Sequence, residues 1–208
     1  MKSALVVEDH PVVCSMIKLV LRELGFKQIH EATRGDEVMS KLREHRPDIV
    51  LLDLSLPGLD GLDVLDRIKA EKTHSRVVVF TSLDARFYQE RCMRAGASAF
   101  VPKSKDLDDL KAAINTVLAG YTCFIQLSSS LVSMGVLQRS EKELIDLLSN
   151  RELTILQYLA KGLSNKQIAE IMHLSFKTVS TYKTRLIEKI NVKSLVHLRD
   201  FALRNGLI

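Results

Sequence analysis

The sequence predicts an α/β fold, a doubly wound sheet of five parallel strands, followed by an all-helical unit. Over the first 120 residues, short runs rich in β-branched residues alternate with segments of helical periodicity. Three of the runs are almost continuously apolar, as expected of central parallel strands that helices cover on both faces. The last 60 residues show helical periodicity without strand-like runs. We therefore expect the chain to change structural class near its middle.

The predicted strands occupy residues 3–7, 28–32, 48–52, 76–80 and 98–102. Helical segments between them include residues 12–24, 35–45 and 62–70. Gly25 and Pro47 follow the first two of these segments, and both residue types are stop signals for a helix.

A chain of 208 residues suits two compact domains joined by a linker. The periodic pattern weakens between residues 121 and 147, around a run of three serines. We predict one domain over residues 1–120, a linker over 121–147 in which one helix is allowed, and a second domain over 148–208.

Composition excludes several classes of protein. No apolar run approaches the roughly 20 residues that cross a bilayer. The N-terminal apolar stretch is too short and too acidic for a signal peptide, so a cytoplasmic location without membrane contact is expected. Three widely spaced cysteines, Cys14, Cys92 and Cys123, argue against a disulfide framework or a zinc site. We interpret them as small buried side chains.

Net charge is distributed unevenly along the chain. Residues 1–120 hold 18 basic and 18 acidic residues, whereas residues 121–208 hold 12 basic and 7 acidic residues and carry the whole charge of +5. A solvated surface could show this pattern, but a basic second half is typical of an appended nucleic-acid-binding module.

Polar residues follow the predicted strands at their carboxyl ends, where open parallel sheets gather functional groups. Glu8 and Asp9 follow the first strand, Asp53 the third, Thr81 the fourth and Lys103 the fifth. One carboxylate after a strand is usually a cap or turn residue. Three carboxylates with a single lysine would repel one another, so the set implies Mg²⁺. With Mg²⁺ present, Asp53 could attack phosphorus while Lys103 stabilises the developing charge and Thr81 binds the product.

The motifs VVEDH, LLDLSLPGLDG, VVVFTS and AFVPK make residues 1–120 resemble a response-regulator receiver domain, which has a flavodoxin-like fold. The resemblance implies phosphorylation of Asp53 and a Mg²⁺ site formed by Glu8, Asp9, Asp53 and the backbone carbonyl of Ser55. It also implies that Thr81 and Lys103 hold the phosphoryl group. Phe100 falls at the position of the switch aromatic residue, although a plain core phenylalanine would fit equally well.

Helix caps define four helices in the last 60 residues. The segments SNRE at 149–152 and SNKQ at 164–167 are capping boxes, and Ser175 and Ser194 can cap two further helices. This spacing predicts a helix-turn-helix. Apolar residues at helical spacing form its predicted core: Leu153, Leu156, Tyr158, Leu159, Ile168, Ile171, Leu174, Val179, Leu186 and Ile190.

The predicted third helix has an outward face of small hydroxyls, lysines and an arginine, which suits a helix in the major groove. The same pattern fits a solvated helix face. Its place as the second helix of the pair favours DNA binding, as does a segment, residues 149–208, with 10 basic and 4 acidic residues.

The segment from LSNRELTILQ to KINVKS resembles the LuxR-type helix-turn-helix of NarL/FixJ-family response regulators. The resemblance implies base contacts by Ser180, Thr181, Lys183 and Thr184. It implies phosphate contacts by Asn165, Lys166, Lys177, Thr178 and Lys189. It further implies dimerisation through Leu195 and Leu198 upon phosphorylation. The expected partners are double-stranded DNA, a sensor histidine kinase or phosphotransfer protein, and RNA polymerase.

Three alternatives compete with a phosphorylated DNA-binding regulator. A haloacid-dehalogenase-like phosphatase also has a nucleophilic Asp after a strand, but it needs a carboxylate where Ser55 stands. A regulator that works without phosphorylation would not need Asp9, Asp53, Thr81 and Lys103 together. A protein-binding adaptor does not explain the charge asymmetry.

Overall fold

The computed structural model describes residues 2–124 and 136–208, with side chains from residue 141 onward in the second range. The chain forms two compact units, residues 1–127 and 128–208. The predicted linker, 121–147, therefore falls partly outside the described residues. No helix among the described residues is long and apolar enough to span a membrane.

The first unit is a five-stranded parallel sheet with the order β2-β1-β3-β4-β5, which confirms the predicted fold class. Its elements are β1 (Ser3–Val7), α1 (Pro11–Glu23), β2 (Gln28–Ala32), α2 (Val38–His45), β3 (Ile49–Leu52), α3 (Gly61–Ala70), β4 (Arg76–Thr81), α4 (Ala85–Arg94), β5 (Ala99–Pro102) and α5 (Leu107–Leu118). The predicted helix over 35–45 begins as a 3₁₀ turn, Gly35–Glu37, and becomes α-helical at Val38.

Every residue of β1 and β3 is buried, which explains why these strands are continuously apolar in sequence. One core cluster joins the sheet to α1 and α5, with Ile17, Leu21 and Ile114 almost fully buried. Both central strands are thereby held in place, and their carboxyl ends fix the positions of the residues that follow them.

At the amino ends of the strands, opposite their carboxyl ends, cationic side chains cap the C-termini of helices. Arg76 Nη1 donates hydrogen bonds to the carbonyls of Val117 and Leu118, both at 2.7 Å, in the last turn of α5. Lys2 Nζ donates to the carbonyl of Leu24 at the end of α1. A cation at a helix C-terminus satisfies orphan carbonyls and interacts favourably with the helix dipole.

The segment after α5 extends the sheet. Cys123 forms a parallel bridge with Ala99 of β5, its N–H donates to the carbonyl of Ser98, and its own carbonyl accepts from the N–H of Phe100. The first residues of the predicted linker therefore cover the edge strand of the first unit.

The second unit contains α6 (Val136–Asp146), α7 (Asn150–Ala160), α8 (Asn165–Ile171), α9 (Phe176–Ile190) and α10 (Leu195–Arg204). Both predicted capping boxes are present, and Ser175 and Ser194 cap α9 and α10. Most of the predicted core is buried, but the assignment of Ile171 to it was wrong because its side chain is 49% exposed. Ile171 is the last residue of a seven-residue helix, so little surrounds it.

We expect Arg76→Met to lower the free energy of unfolding of the first unit by about 1–2 kcal/mol, because two carbonyls lose a charged donor. Urea denaturation, monitored by hydrogen exchange of the α5 amides, measures this change in the free energy of unfolding. Arg67→Met replaces an exposed arginine of α3 and should change stability by less than about 0.5 kcal/mol. Equal effects of the two substitutions would contradict the capping role.

Candidate phosphoacceptor site and nucleic-acid interface

Backbone hydrogen bonds bring predicted site residues together at the carboxyl ends of the strands. The N–H of Asp53 donates to the carbonyl of Val7, so Asp53 lies beside the end of β1. The N–H of Lys103 donates to the carbonyl of Thr81, which ties the end of β5 to that of β4. The main chain alone thus fixes where these side chains begin.

Lys103 connects two of the carboxylates. Its Nζ lies 2.7 Å from Asp53 Oδ2 and 2.7 Å from Glu8 Oε2. The Glu8 and Asp53 side chains are only 1% and 3% exposed, whereas a buried charge needs a partner of opposite sign. Lys103 therefore provides the counter-charge for both carboxylates.

Burial and charge perturb the ionisation of this cluster. Burial raises the pKa of the Glu8 carboxyl; contact with Lys103 opposes this shift and the charge of Asp53 adds to it. Burial alone would lower the pKa of Lys103, but Asp53 and Glu8 raise it above its ordinary value. Lys103 is therefore charged at neutral pH, and the pKa of the Glu8 carboxyl lies above its ordinary value because burial outweighs the opposing effect of Lys103.

The donor set fits a divalent cation. Glu8, Asp9 and Asp53 carry three negative charges when ionised, and Lys103 supplies one positive charge. The N–H of Ser55 donates to Asp53 Oδ1 at 3.2 Å, which places the start of the following loop over the carboxylate. Oxygen ligands of this kind suit Mg²⁺.

A close backbone approach holds the loop between β3 and α3. A Cβ atom at Gly61 would lie 2.5 Å from the carbonyl oxygen of Asp53 and 2.5 Å from Leu54 Cα. A side chain at this position would push α3 away from Asp53. The motif LPGLDG contains this constraint, but only the fold shows which atoms Gly61 approaches.

His10 belongs to this cluster, although the sequence motif did not predict it as a site residue. Its Nδ1 lies 2.9 Å from Asp9 Oδ1 and 3.2 Å from Glu8 Oε1, and its side chain is 68% exposed. The available signal was the position of His10 between the acidic pair and Pro11, at the start of α1.

Thr81 and Phe100 both lie in the interior. Thr81 is fully buried, and its Oγ1 accepts a hydrogen bond from the N–H of Leu83 at 3.4 Å. Phe100 is 2% exposed. The buried position of Phe100 suits both a switch residue and a core residue, so its predicted role stays a prediction.

The second unit presents the predicted DNA-binding residues on α8 and α9. Asn165 Nδ2 donates to Ser180 Oγ at 3.2 Å and joins the two helices. The exposed predicted residues are Lys166, Lys177, Thr181, Thr184 and Lys189, whereas Asn165, Thr178, Ser180 and Lys183 are half-buried. Phe176, 60% exposed at the start of α9, was not predicted as part of this surface.

Lys189 has a partner within the unit. Its Nζ lies 2.7 Å from Glu152 Oε2, and the same oxygen accepts from the N–H of Ser149. Glu152 is 4% exposed. Burial alone would raise the pKa of Glu152, but the hydrogen bonds from Lys189 and Ser149 lower it. The pair anchors α9 to the start of α7, and phosphate contact by Lys189 stays a prediction.

The structure corrects one of the two residues predicted for dimerisation. Leu198 is fully buried in the core of the second unit, so it has no surface to offer a partner. It lies on the inner face of α10, whereas Leu195, Val196 and Leu203 are exposed by 43%, 69% and 52%.

Two family models match the chain. The model "Response regulator receiver domain" matches residues 4–115, and the model "Bacterial regulatory proteins, luxR family" matches residues 146–202. The chain therefore belongs to the two-component response regulators that carry a LuxR-type helix-turn-helix. These proteins are DNA-binding transcription regulators rather than a family of enzymes, which favours the predicted regulator over the phosphatase.

Similar proteins match over nearly the whole chain. "Virulence factors putative positive transcription regulator BvgA" of Bordetella pertussis is 44% identical over 203 residues, covering 98% of this chain and 97% of that protein. "DNA-binding transcriptional activator EvgA" of Escherichia coli K12 is 34% identical over 205 residues, covering 99% of each chain.

Solved structures share the fold. A LuxR-family response regulator from Aurantimonas sp. is 31% identical, with a TM-score of 0.55, and covers 66% of this chain and 97% of that one. RcsB, in a structure of two dimers bound to two parallel DNAs, is 20% identical with a TM-score of 0.57 and covers 96% of this chain and 97% of that one. The latter likeness shows the fold alone.

We expect Lys189→Met to lower the free energy of unfolding of the second unit by about 1–3 kcal/mol at pH 7, because a buried carboxylate loses a donor. The lowered pKa of Glu152 means that this stabilisation is present above its unfolded value near 4.5 and is lost as pH falls through the folded value. The difference between wild type and variant should therefore shrink below about pH 4.5.

Urea unfolding, monitored through the NMR signals of α7 amides at pH values from about 2.5 to 7, measures this difference. Lys161→Met, at an exposed lysine just after α7, is the matched control and should cost less than about 0.5 kcal/mol. A constant difference across the pH range would show that the ion pair is not its source.

Proposed function

We propose that Asp53 accepts a phosphoryl group from a sensor histidine kinase or phosphotransfer protein, and that this event controls DNA binding by the second unit. The observation that carries the proposal is the cluster in which Lys103 contacts both Asp53 and Glu8 at 2.7 Å. A buried lysine beside an acceptor carboxylate can stabilise negative charge as it develops on a transferring phosphoryl group.

The reaction is an in-line displacement at phosphorus. An Asp53 oxygen attacks the phosphorus of a phosphohistidine, the phosphorus–nitrogen bond breaks, and the imidazole leaves. Lys103 moves from the carboxylates to the phosphoryl oxygens, and the Thr81 hydroxyl donates to them. The N–H of Ser55 already donates to Asp53 Oδ1, which leaves Oδ2 on the side that faces Lys103.

Mg²⁺ would be held by Glu8, Asp9, Asp53 and the backbone carbonyl of Ser55, and it would neutralise the incoming phosphoryl oxygens. The support is the excess of carboxylates over ammonium groups at this edge of the sheet. Glu8 Oε2 is buried without a hydrogen bond of good geometry, even though Lys103 lies 2.7 Å away.

On α9, two of the predicted base-reading residues have internal partners. Thr181 Oγ1 donates to the carbonyl of Lys177, and Thr184 Oγ1 donates to the carbonyl of Ser180. Both hydroxyls are thus satisfied by the helix itself. We infer that these residues contact DNA chiefly through their methyl groups, as in apolar contacts to thymine, and that Lys183 supplies hydrogen bonds to base edges.

The proposed phosphate contacts are Asn165, Lys166, Lys177, Thr178 and Lys189, and they would position the unit on DNA without reading sequence. Asn165 and Thr178 lie at the starts of α8 and α9, where helix N-termini favour anions.

Signal would pass from Asp53 to the linker through β5. Phe100 lies on β5, and its N–H donates to the carbonyl of Cys123 at the start of the predicted linker. A rearrangement of Phe100 upon phosphorylation would therefore reach the linker directly. The result would be a population shift towards a dimer on double-stranded DNA, with α10 contacts through Leu195, Val196 and Leu203. Its setting would be the cytoplasm, with RNA polymerase as a further partner.

Phosphorylation is tested by treating the purified chain with acetyl phosphate and Mg²⁺. Wild type should gain one phosphoryl group by intact mass and bind DNA as a tighter dimer, since the modified form favours the dimeric state. Asp53→Asn should do neither. DNA fragments selected from a random pool by the treated protein serve as the ligand.

Asp66→Asn, at an exposed carboxylate of α3, is the matched control and should behave like wild type. Phosphate uptake by Asp53→Asn would contradict the acceptor assignment. Equal DNA binding before and after uptake would leave the acceptor in place and contradict the proposed coupling.

DNA contacts are tested by a pair of lysine substitutions. Lys183→Ala should weaken binding to selected DNA by about 1–3 kcal/mol and relax sequence preference, because a base contact is lost. Lys166→Ala should weaken binding to selected and random DNA alike. It should also reduce the slope of log affinity against log salt concentration by about one. Fluorescence anisotropy across a salt series measures both. Identical behaviour of the two variants would remove the distinction between reading and positioning residues.

A further inference from the structure

The conformation of the loop between β1 and α1 places an imidazole against the acidic cluster. Pro11 is the first residue of α1, and a residue before proline is restricted to extended backbone. His10 accordingly has φ −89° and ψ 112°, and its N–H donates to Glu8 Oε1 at 3.1 Å. The ring is thereby directed back towards the carboxylates rather than along the helix.

The three side chains converge through atoms that can all bind a metal. One ligand atom each from Glu8, Asp9 and His10 lies within 4.8 Å of the others. His10 Nδ1 is 2.9 Å from Asp9 Oδ1 and 3.2 Å from Glu8 Oε1. Adjacent ligands of an octahedral ion with bonds of about 2.1 Å are about 3 Å apart, so these separations match neighbouring corners of one coordination shell.

We propose that His10 Nδ1 is a ligand of this site, which therefore takes a first-row divalent transition ion through nitrogen as well as carboxylate oxygen. The inference rests on the metal site proposed above and extends it from Mg²⁺ to a second class of ion. Mg²⁺ favours oxygen and gains little from an imidazole, whereas nitrogen ligands favour ions later in the series from Mn²⁺ to Ni²⁺. His10 is thus a residue that determines metal specificity.

A plain hydrogen bond between His10 and the carboxylates predicts a different result from coordination. Loss of such a bond would alter the acidic site in the same way for every metal. Loss of a nitrogen ligand would have an effect that grows with the affinity of the ion for nitrogen. The comparison of several metals separates the two.

The first measurement is calorimetric titration of the untagged full chain with Mg²⁺, Mn²⁺, Co²⁺ and Ni²⁺. His10→Asn should leave Mg²⁺ affinity within about threefold and lower Ni²⁺ affinity at least about tenfold, with Mn²⁺ and Co²⁺ between them. His74→Asn, at the opposite edge of the sheet, should change none of the four. Asp9→Asn, which removes the carboxylate that lies 2.9 Å from His10 Nδ1, should weaken all four, which assigns the binding to this site.

The second measurement is pulsed EPR of bound Mn²⁺. Wild type should show ¹⁴N coupling from a directly bound imidazole, and His10→Asn should lose it while still binding Mn²⁺. Bound Mn²⁺ without ¹⁴N coupling in wild type, or an equal loss for all four metals in the variant, would overturn the inference. A wild-type chain that binds none of the metals would overturn the proposed metal site itself, and the inference with it.

Discussion

The contact of Lys103 with Asp53 and Glu8 is the interaction on which the site depends. Two buried carboxylates at the ends of neighbouring strands require a counter-charge, and Lys103 reaches them from the far side of β4. One ammonium group still leaves the cluster deficient in positive charge. This deficit favours a divalent cation, which would in turn neutralise the oxygens of a transferring phosphoryl group.

Charged side chains stabilise the fold at the amino ends of the strands, whereas those at the carboxyl ends are placed to bind a ligand. At the N-terminal edge of the strands, Arg76 and Lys2 satisfy helix carbonyls, so their charges are used within the fold. At the carboxyl ends of the strands, carboxylates outnumber cations, so negative charge remains uncompensated and can bind a cation. Parallel strands make this division possible because all helix C-termini lie at one edge and all strand carboxyl ends at the other.

The second unit relies on local caps for its helices and on a few long-range pairs for their arrangement. Ser149 and Ser164 begin α7 and α8 through capping boxes that need only four consecutive residues. The pairing of Glu152 with Lys189 fixes α9 relative to α7, and the bond from Asn165 to Ser180 fixes it relative to α8. The orientation of α9, the proposed recognition helix, is therefore set by contacts outside its own sequence.

Sequence alone determined the elements and most of the acidic site, because periodicity, caps and strand ends are local and parallel strands place their carboxyl ends together. Asp53, Glu8, Asp9 and Lys103 could be predicted from that geometry. Only the tertiary structure showed that Lys189 is held by Glu152, that Leu198 is buried and Ile171 exposed, and that His10 turns towards the carboxylates. Periodicity shows which residues share a helix face, whereas burial and pairing depend on what the rest of the chain packs against that face.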